Sequence, residues 1–414
     1  MDTCGIVAEY NPFHLGHQAQ LAWLREQLPE AAVIVVMSPW FTQRGEPAVL
    51  DPWTRARLAV QAGCSLVLEL PQVFAMSSAS AFADGAVATL AASGVCRRLC
   101  FGSETAILAK LDELAAELET IEADPELEAA ARARQKDGLS YAAARQELVA
   151  RRLGPEAAVP LRQPNDILGI CYLRALRRLP ADLAMEPLTH PRLGPAERLQ
   201  AGLLRRAIAR ADDPRELAAA LDGLVPARSA AALLAGAAGR GPLVREGAAG
   251  SLAYSLLLRE EPESLARISG MQDGLAGRLS RAAGTLPART PREELWPRLV
   301  EAGVTRHLSR ARVQRALAAL LLNLEADTLT RQLAAGPKYL RVLAFDRRGR
   351  YLLRLMRRTA RLPVIMKTSD FLEHGAAGPD FAYQYRLDLL AAEIWSVLAG
   401  RGSGADFDTL PAML

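Results

Sequence analysis

Cys4-Gly5-Ile6-Val7-Ala8-Glu9-Tyr10-Asn11-Pro12-Phe13-His14-Leu15-Gly16-His17 runs from a short apolar stretch into a turn and then a pair of histidines around a glycine. Ile6 and Val7 favour a strand, Asn11-Pro12 ends it, and a helical pattern through Leu21, Ala22 and Leu24 starts just beyond His17. The histidines therefore fall at a strand-to-helix junction. Free backbone N–H groups and the positive end of the helix dipole favour an anion there, and Gly16 lets a bulky ligand approach the main chain. Two imidazoles at such a junction suit charge developing on a phosphate. A nucleotide site belongs at the carboxyl end of the first strand of a parallel sheet, which is where this pattern puts them.

Working outward, the chain alternates strands and helices to about Pro187. Apolar runs at Gly5–Ala8, Ala32–Met37, Leu66–Leu70 and Leu99–Phe101 read as buried parallel strands with helices between them, an α/β architecture. Residues 107–150, rich in Ala, Glu and Arg, read as a helical insertion. Past the punctuated segment Thr189-His190-Pro191-Arg192-Leu193-Gly194-Pro195, amphipathic helices are expected at 196–211, 214–221, 252–259, 271–283, 292–302 and 310–324. Tyr339–Phe345 and Leu362–Met366 read as two strands joined by a helix in a small α/β lobe.

With 414 residues, half of them hydrophobic, the chain can bury a large core and divide into two or three domains. No run of about eighteen uninterrupted apolar residues is present, so no membrane partner is expected. Cys4, Cys64, Cys96, Cys100 and Cys171 lie in apolar segments without metal-ligand spacing, which predicts packing roles, no metal site and a reducing cytoplasm. The net charge of +4 is modest and does not by itself announce a nucleic-acid partner. Its distribution says more: Arg341, Arg347, Arg348, Arg350, Arg354, Arg357, Arg358 and Arg361, flanked by Lys338 and Lys367 and interleaved with Tyr339 and Tyr351, suit an RNA backbone and a stacked base. Arg306, Arg310, Arg312 and Arg315 form a second basic group. His190, His307 and His374 stand alone and read as structural.

Met37-Ser38-Pro39-Trp40-Phe41-Thr42-Gln43-Arg44-Gly45-Glu46-Pro47 follows the second strand as a ligand-side loop, and Phe101-Gly102-Ser103-Glu104 closes the fourth. GIVAEYNPFHLGH, QRGEP, DPWTRARLA, SLVLELP, CFGSE, SYAAARQE and QPNDILGICYLRAL together resemble the bacterial tRNA(Met) cytidine acetate ligase family, within the HIGH-type nucleotidyltransferases. The resemblance is dense over 1–180 and looser to residue 369. It implies a Rossmann-like fold and an enzyme that activates acetate with ATP, releases pyrophosphate, and acetylates N4 of the wobble cytidine of elongator tRNA(Met). Mg²⁺ is expected with the ATP.

By this resemblance Val7, Ala8, Glu9, Tyr10, Asn11, Pro12, Phe13, His14, Leu15, Gly16, His17, Gln18, Ala19 and Gln20 wrap the ATP, with His14 and His17 catalytic at the phosphates. Gly102, Asn165 and Arg192 complete the pocket. The expected division is an ATP-binding domain over 1–210, a helical domain over 211–335 and a small basic tRNA-binding region over 336–414. Two departures stand out: Pro39-Trp40 replaces the family's Gly-Asn, and Gln200-Ala201-Gly202-Leu203-Leu204-Arg205 replaces a hydroxyl-bearing phosphate segment. Two rival readings share parts of the pattern: a nucleotidyltransferase that adenylylates a small phosphorylated metabolite, and a catalytically degenerate RNA-binding relative.

Overall fold

Runs of β-branched residues build the centre of the molecule. Ile34, Val35 and Val36 are fully buried, as are Leu66, Val67 and Leu68, the mark of strands covered on both faces. The computed structural model describes residues 1–136, 141–192, 201–211, 213–245, 247–373, 378–404, 406–407 and 409–414. Five strands, β1 (Thr3–Ala8), β2 (Ala32–Met37), β3 (Leu66–Glu69), β4 (Arg98–Ser103) and β5 (Glu186–Pro191), pair in parallel in the order β5-β4-β1-β2-β3. The order reverses at β1, since β2 lies on one side of it and β4 on the other. That opens a crevice beyond the carboxyl ends of β1 and β4.

The sheet continues past β3. β6 (Leu340–Phe345) pairs antiparallel to β3, and β7 (Val364–Ile365) and β8 (Ala412–Met413) pair parallel to β6. The strand–helix–strand pattern at the end is present, but its strands extend the first sheet instead of forming a lobe apart. Arg341 and Tyr339 also leave the expected basic surface. Arg341 is 1% exposed, pairs with Asp406 at 2.6 Å and faces Glu69 at 3.6 Å, while the fully buried Tyr339 donates its hydroxyl to Asp388. A charge inside an apolar strand needs such partners.

The insertion forms helices Leu108–Ala123, Pro125–Lys136 and Tyr141–Leu153. The first buries Leu111, Leu114, Leu118 and Ile121, one stripe of the helix. Further on, helices Ala201–Arg210, Pro214–Leu221 and Ala227–Ala237 share a satellite core. Leu204, Ile208, Leu217, Leu221 and Leu233 meet Val49, Leu50 and Leu58 there, so the expected boundary at 210/211 runs through a packed cluster. The five cysteines are free, and no group of three or more His, Cys, Asp or Glu among the described residues is placed to hold a metal. No helix among them is long and apolar enough to cross a membrane.

Candidate functional site

β1 ends at Ala8, and Tyr10 turns the chain in the left-handed region at φ +46°. His14 is extended and caps the helix Leu15–Gln27. Gly16 N–H donates to His14 Nδ1 at 3.1 Å, and His14 N–H donates to His17 Nδ1 at 3.2 Å. This is a capping box with imidazoles in the places usually held by a hydroxyl and a carboxylate. Because each Nδ1 accepts a hydrogen bond, each ring carries its proton on Nε2. The rings stack with centroids 3.7 Å apart, and Tyr10 and Phe13 pack edgewise and tilted against His17.

Burial, and secondarily the charge of Arg192, push His14 from its ordinary 6.5 to about 4. His17 is pushed well down by burial and then by His14. At neutral pH the pair consists of uncharged Nε2–H donors.

The backbone amides at this helix start are not free. Leu15 N–H donates to the carbonyl of Leu224 at 3.0 Å, Gly16 N–H to His14 Nδ1, and His17 and Gln18 N–H to the His14 carbonyl. The donors expected from the main chain are therefore engaged, which leaves the two Nε2–H groups as the donors at this junction without a partner named above. Within the Val7–Gln20 loop, Tyr10 and Phe13 are core residues, each 1% exposed, and support His17 from behind.

A web of hydrogen bonds fixes the loop. Arg55, fully buried, donates to the carbonyls of Glu9 (2.7 Å), Ser38 (2.8 Å) and Leu50 (2.9 Å), and also to that of Pro39. Glu9 Oε1 accepts from Gln43 N–H at 2.7 Å, and burial raises its carboxyl above the ordinary value. Asn11 Oδ1 accepts from Val49 N–H at 2.8 Å. Arg205 donates to the Asn11 carbonyl at 3.1 Å and pairs with Glu46 at 2.8 Å, while Gln314 donates to the other Glu46 oxygen at 3.0 Å. Arg205 is thus committed to scaffolding. Gln200 and His374 lie outside the described residues.

The Pro39-Trp40 departure is absorbed by the core, where Trp40 packs 5.4 Å from Trp395. In the second basic group, Arg312 pairs with Asp273, Arg310 with Glu301, and Arg315 reaches the Gln43 carbonyl.

The facing wall comes from β4, β5 and the helix Pro164–Arg177. Asp166, fully buried, accepts from the Ser103 hydroxyl and from Thr105 Oγ1 (2.5 Å) and N–H (3.2 Å). Glu104 accepts from Asn165 Nδ2 at 2.7 Å and Asp166 N–H at 3.0 Å, capping that helix. Arg192 lies 3.5 Å from Glu104, and its N–H donates to the Ser103 carbonyl. His190 stands opposite Gly102 in the β4–β5 register, and a β-carbon on Gly102 would come 3.1 Å from the imidazole Cε1. Its Nδ1 contacts the Pro191 carbonyl at 2.7 Å and Trp23 packs on it.

Asn165 and Arg192 therefore meet at Glu104; Gly102, two residues earlier in the chain, lies beside His190, and the charge of Arg192 reaches His14. Arg55, Glu104 and Asp166 were not singled out in the sequence, where Arg55 stands two residues from the exposed Arg57 and nothing local tells the buried one from the exposed one.

A parallel sheet whose order reverses at β1, with a His-x-Gly-His capping box at that point, defines a nucleotidyltransferase of the HIGH type. Consistent with this, the HIGH Nucleotidyl Transferase family profile matches residues 1–406. A tRNA(Met) cytidine acetate ligase of Syntrophotalea carbinolica is 36% identical, covering 98% of this chain and 96% of the relative. Another from Acetivibrio thermocellus is 32% identical, covering 98% of both. The crystal structure of Thermotoga maritima TmcAL bound with alpha-thio ATP superposes with a TM-score of 0.89 at 29% identity over the full length of both chains. The chain belongs to the tRNA(Met) cytidine acetate ligase family.

Proposed function

We propose that the chain condenses acetate with ATP and transfers the acetyl group to N4 of the wobble cytidine of elongator tRNA(Met) in the cytoplasm. An acetate oxygen attacks the α-phosphorus, and the bond to the bridging oxygen breaks with release of pyrophosphate. The cytidine N4 then attacks the acetyl carbonyl, AMP departs with the electron pair of the broken C–O bond, and N4 loses a proton. No protein nucleophile is required, so catalysis is positioning plus stabilisation of charge growing on phosphate oxygens.

The observation that carries this reading is the doubly capped histidine pair, whose Nε2–H donors remain after both Nδ1 atoms are engaged. Neutral donors fit this role, because they form hydrogen bonds to phosphate oxygens without needing protonation at working pH. Arg192 supplies the fixed positive charge beside them. Mg²⁺ arrives as the counter-ion of the ATP phosphates, whose oxygens are the hard ligands it prefers.

Acetate-dependent ATP–pyrophosphate exchange tests the first half. Incorporation of labelled acetate into tRNA(Met), followed by nucleoside mass spectrometry, tests the second. Exchange that acetate does not stimulate would favour adenylylation of another substrate, and binding of tRNA without exchange would favour a degenerate relative.

A further inference from the structure

The helix Arg347–Thr359 carries six arginines and no acidic residue. It buries Gly349, Leu352 and Met356, three and four residues apart, so one stripe faces the core. Gly349 lies so close to the Ser65 carbonyl that a β-carbon would overlap it. Arg347, Arg350, Arg354, Arg357 and Arg358 occupy exposed positions on the remaining surface, with Tyr351, 49% exposed, among them. None of these five forms an ion pair with a described residue. Arg348, by contrast, lies 3.7 Å from Glu30, and Arg361, just past the helix, pairs with Asp182.

The anchors of this helix locate it. Glu30 precedes β2 and Ser65 precedes β3. Ser93, whose carbonyl accepts from Thr359, and Ala92, whose carbonyl accepts from Arg361 N–H, precede β4; Asp182 precedes β5. All lie at the amino ends of the parallel strands, whereas the crevice lies beyond the carboxyl ends. A six-residue strand separates the two poles by about 20 Å.

We propose that the arginine face holds backbone phosphates of the tRNA body at the pole opposite the crevice, so that one RNA contacts the enzyme at two separated places. Unpaired guanidinium groups along about 20 Å of helix offer a row of phosphate donors, and the exposed tyrosine offers a stacking surface. The apolar side of the helix is used in the core, which leaves nothing to insert into a bilayer. The inference rests on the tRNA reading above and adds where the RNA must reach: a fragment confined to the crevice does not touch this face.

The test compares full-length tRNA(Met) transcript with its anticodon stem-loop, using fluorescence anisotropy over a salt series. The protein carries R347Q, R350Q, R354Q, R357Q and R358Q together. Affinity for the full tRNA should fall at least tenfold at low salt, and the slope of log affinity against log salt should flatten by up to about four units. Affinity for the stem-loop and acetate-dependent exchange should not change. The matching five-lysine variant should bind full tRNA nearly as the parent does, because a phosphate row responds to charge.

Unchanged affinity and slope for the full tRNA would overturn the proposal, as would an equal loss with the stem-loop, which would put this face beside the crevice. If the parent shows no acetate-dependent exchange, the ligase reading fails, while the comparison of the two RNAs still decides this one.

Discussion

Two substitutions of His14 separate its two jobs, because its two ring nitrogens do different things. Nδ1 accepts from Gly16 N–H at 3.1 Å and caps the helix, while Nε2–H remains for a ligand. In His14→Asn the carboxamide oxygen takes the place of Nδ1, and Asn is among the best N-caps, but nothing reaches the position of Nε2. In His14→Gln the amide nitrogen reaches towards that position and the cap is lost.

His14→Asn should stay within about 0.5 kcal/mol of the parent in urea unfolding, yet lose roughly 10²-fold in acetate-dependent exchange, the usual cost of removing one donor aimed at transition-state charge. His14→Gln should lose about 1 kcal/mol of stability and retain more exchange than His14→Asn. His14→Ala should suffer both losses. ATP affinity from equilibrium titration should change much less than turnover in all three, since the donor acts on charge that develops during reaction. Near-parental exchange by His14→Asn would refute the assignment of Nε2, and destabilisation of His14→Asn equal to that of His14→Ala would refute the capping role.

Other consequences follow from the same geometry. With His14 at about 4 when folded and 6.5 when unfolded, the unfolded chain takes up the proton first, so stability falls as pH drops below about 6.5 and is lost in full below about 4. That contribution is about 3 kcal/mol, and His14→Asn should make the acid decline shallower in urea titrations at stepped pH; an unchanged decline would sink it. Asp166→Ala strands the Ser103 and Thr105 hydroxyls in a buried site and should cost about 2–4 kcal/mol in thermal or urea unfolding, with a raised KM for ATP; a variant with parental stability would count against the clasp. Gly102→Ala drives a methyl to 3.1 Å from His190, whose ring is held by the Pro191 carbonyl and Trp23, and should cost about 1–3 kcal/mol by calorimetry. A melting temperature equal to the parent's would show that His190 yields freely.

The strands and the histidine pair could be read in the sequence because their signals are local. Continuous β-branched runs mark buried parallel strands, and a His-x-Gly-His after the first one marks a strand-to-helix junction. What stayed hidden was whatever depended on distant partners. The helix-start amides look free until Leu224, from the helical region, is seen to accept from Leu15. Arg341 looks like one more member of a basic run, but it stands on a strand while its neighbours stand on a helix. The continuous apolar run around it, Tyr339-Leu340-Arg341-Val342-Leu343, was the available clue that its side chain is buried in the sheet's packing. The two departures from the family pattern were legible as sequence, but their consequences were not, because Trp40 finds its place only against Trp395.

The altered Gln200–Arg205 segment makes physical sense once the partners of Arg205 are known. A guanidinium has donors in a fixed fork, and this one donates to the Asn11 carbonyl and forms an ion pair with the Glu46 carboxylate. Glu46 in turn receives Gln314 from the helix Arg310–Leu321, whose backbone packs on Gly45 closely enough to exclude any side chain there. Leu224 fastens the same loop from another side through Leu15. Three parts of the chain outside the parallel sheet thus brace the turn before the histidine pair, two directly at Asn11 and Leu15 and one through Glu46, at groups whose hydrogen bonds are costly to leave unmade. A loop so fastened does not need a second cation to hold it against the phosphates. In the function proposed above, the phosphates then fall to Arg192 and to imidazoles whose tautomer the capping box has already set.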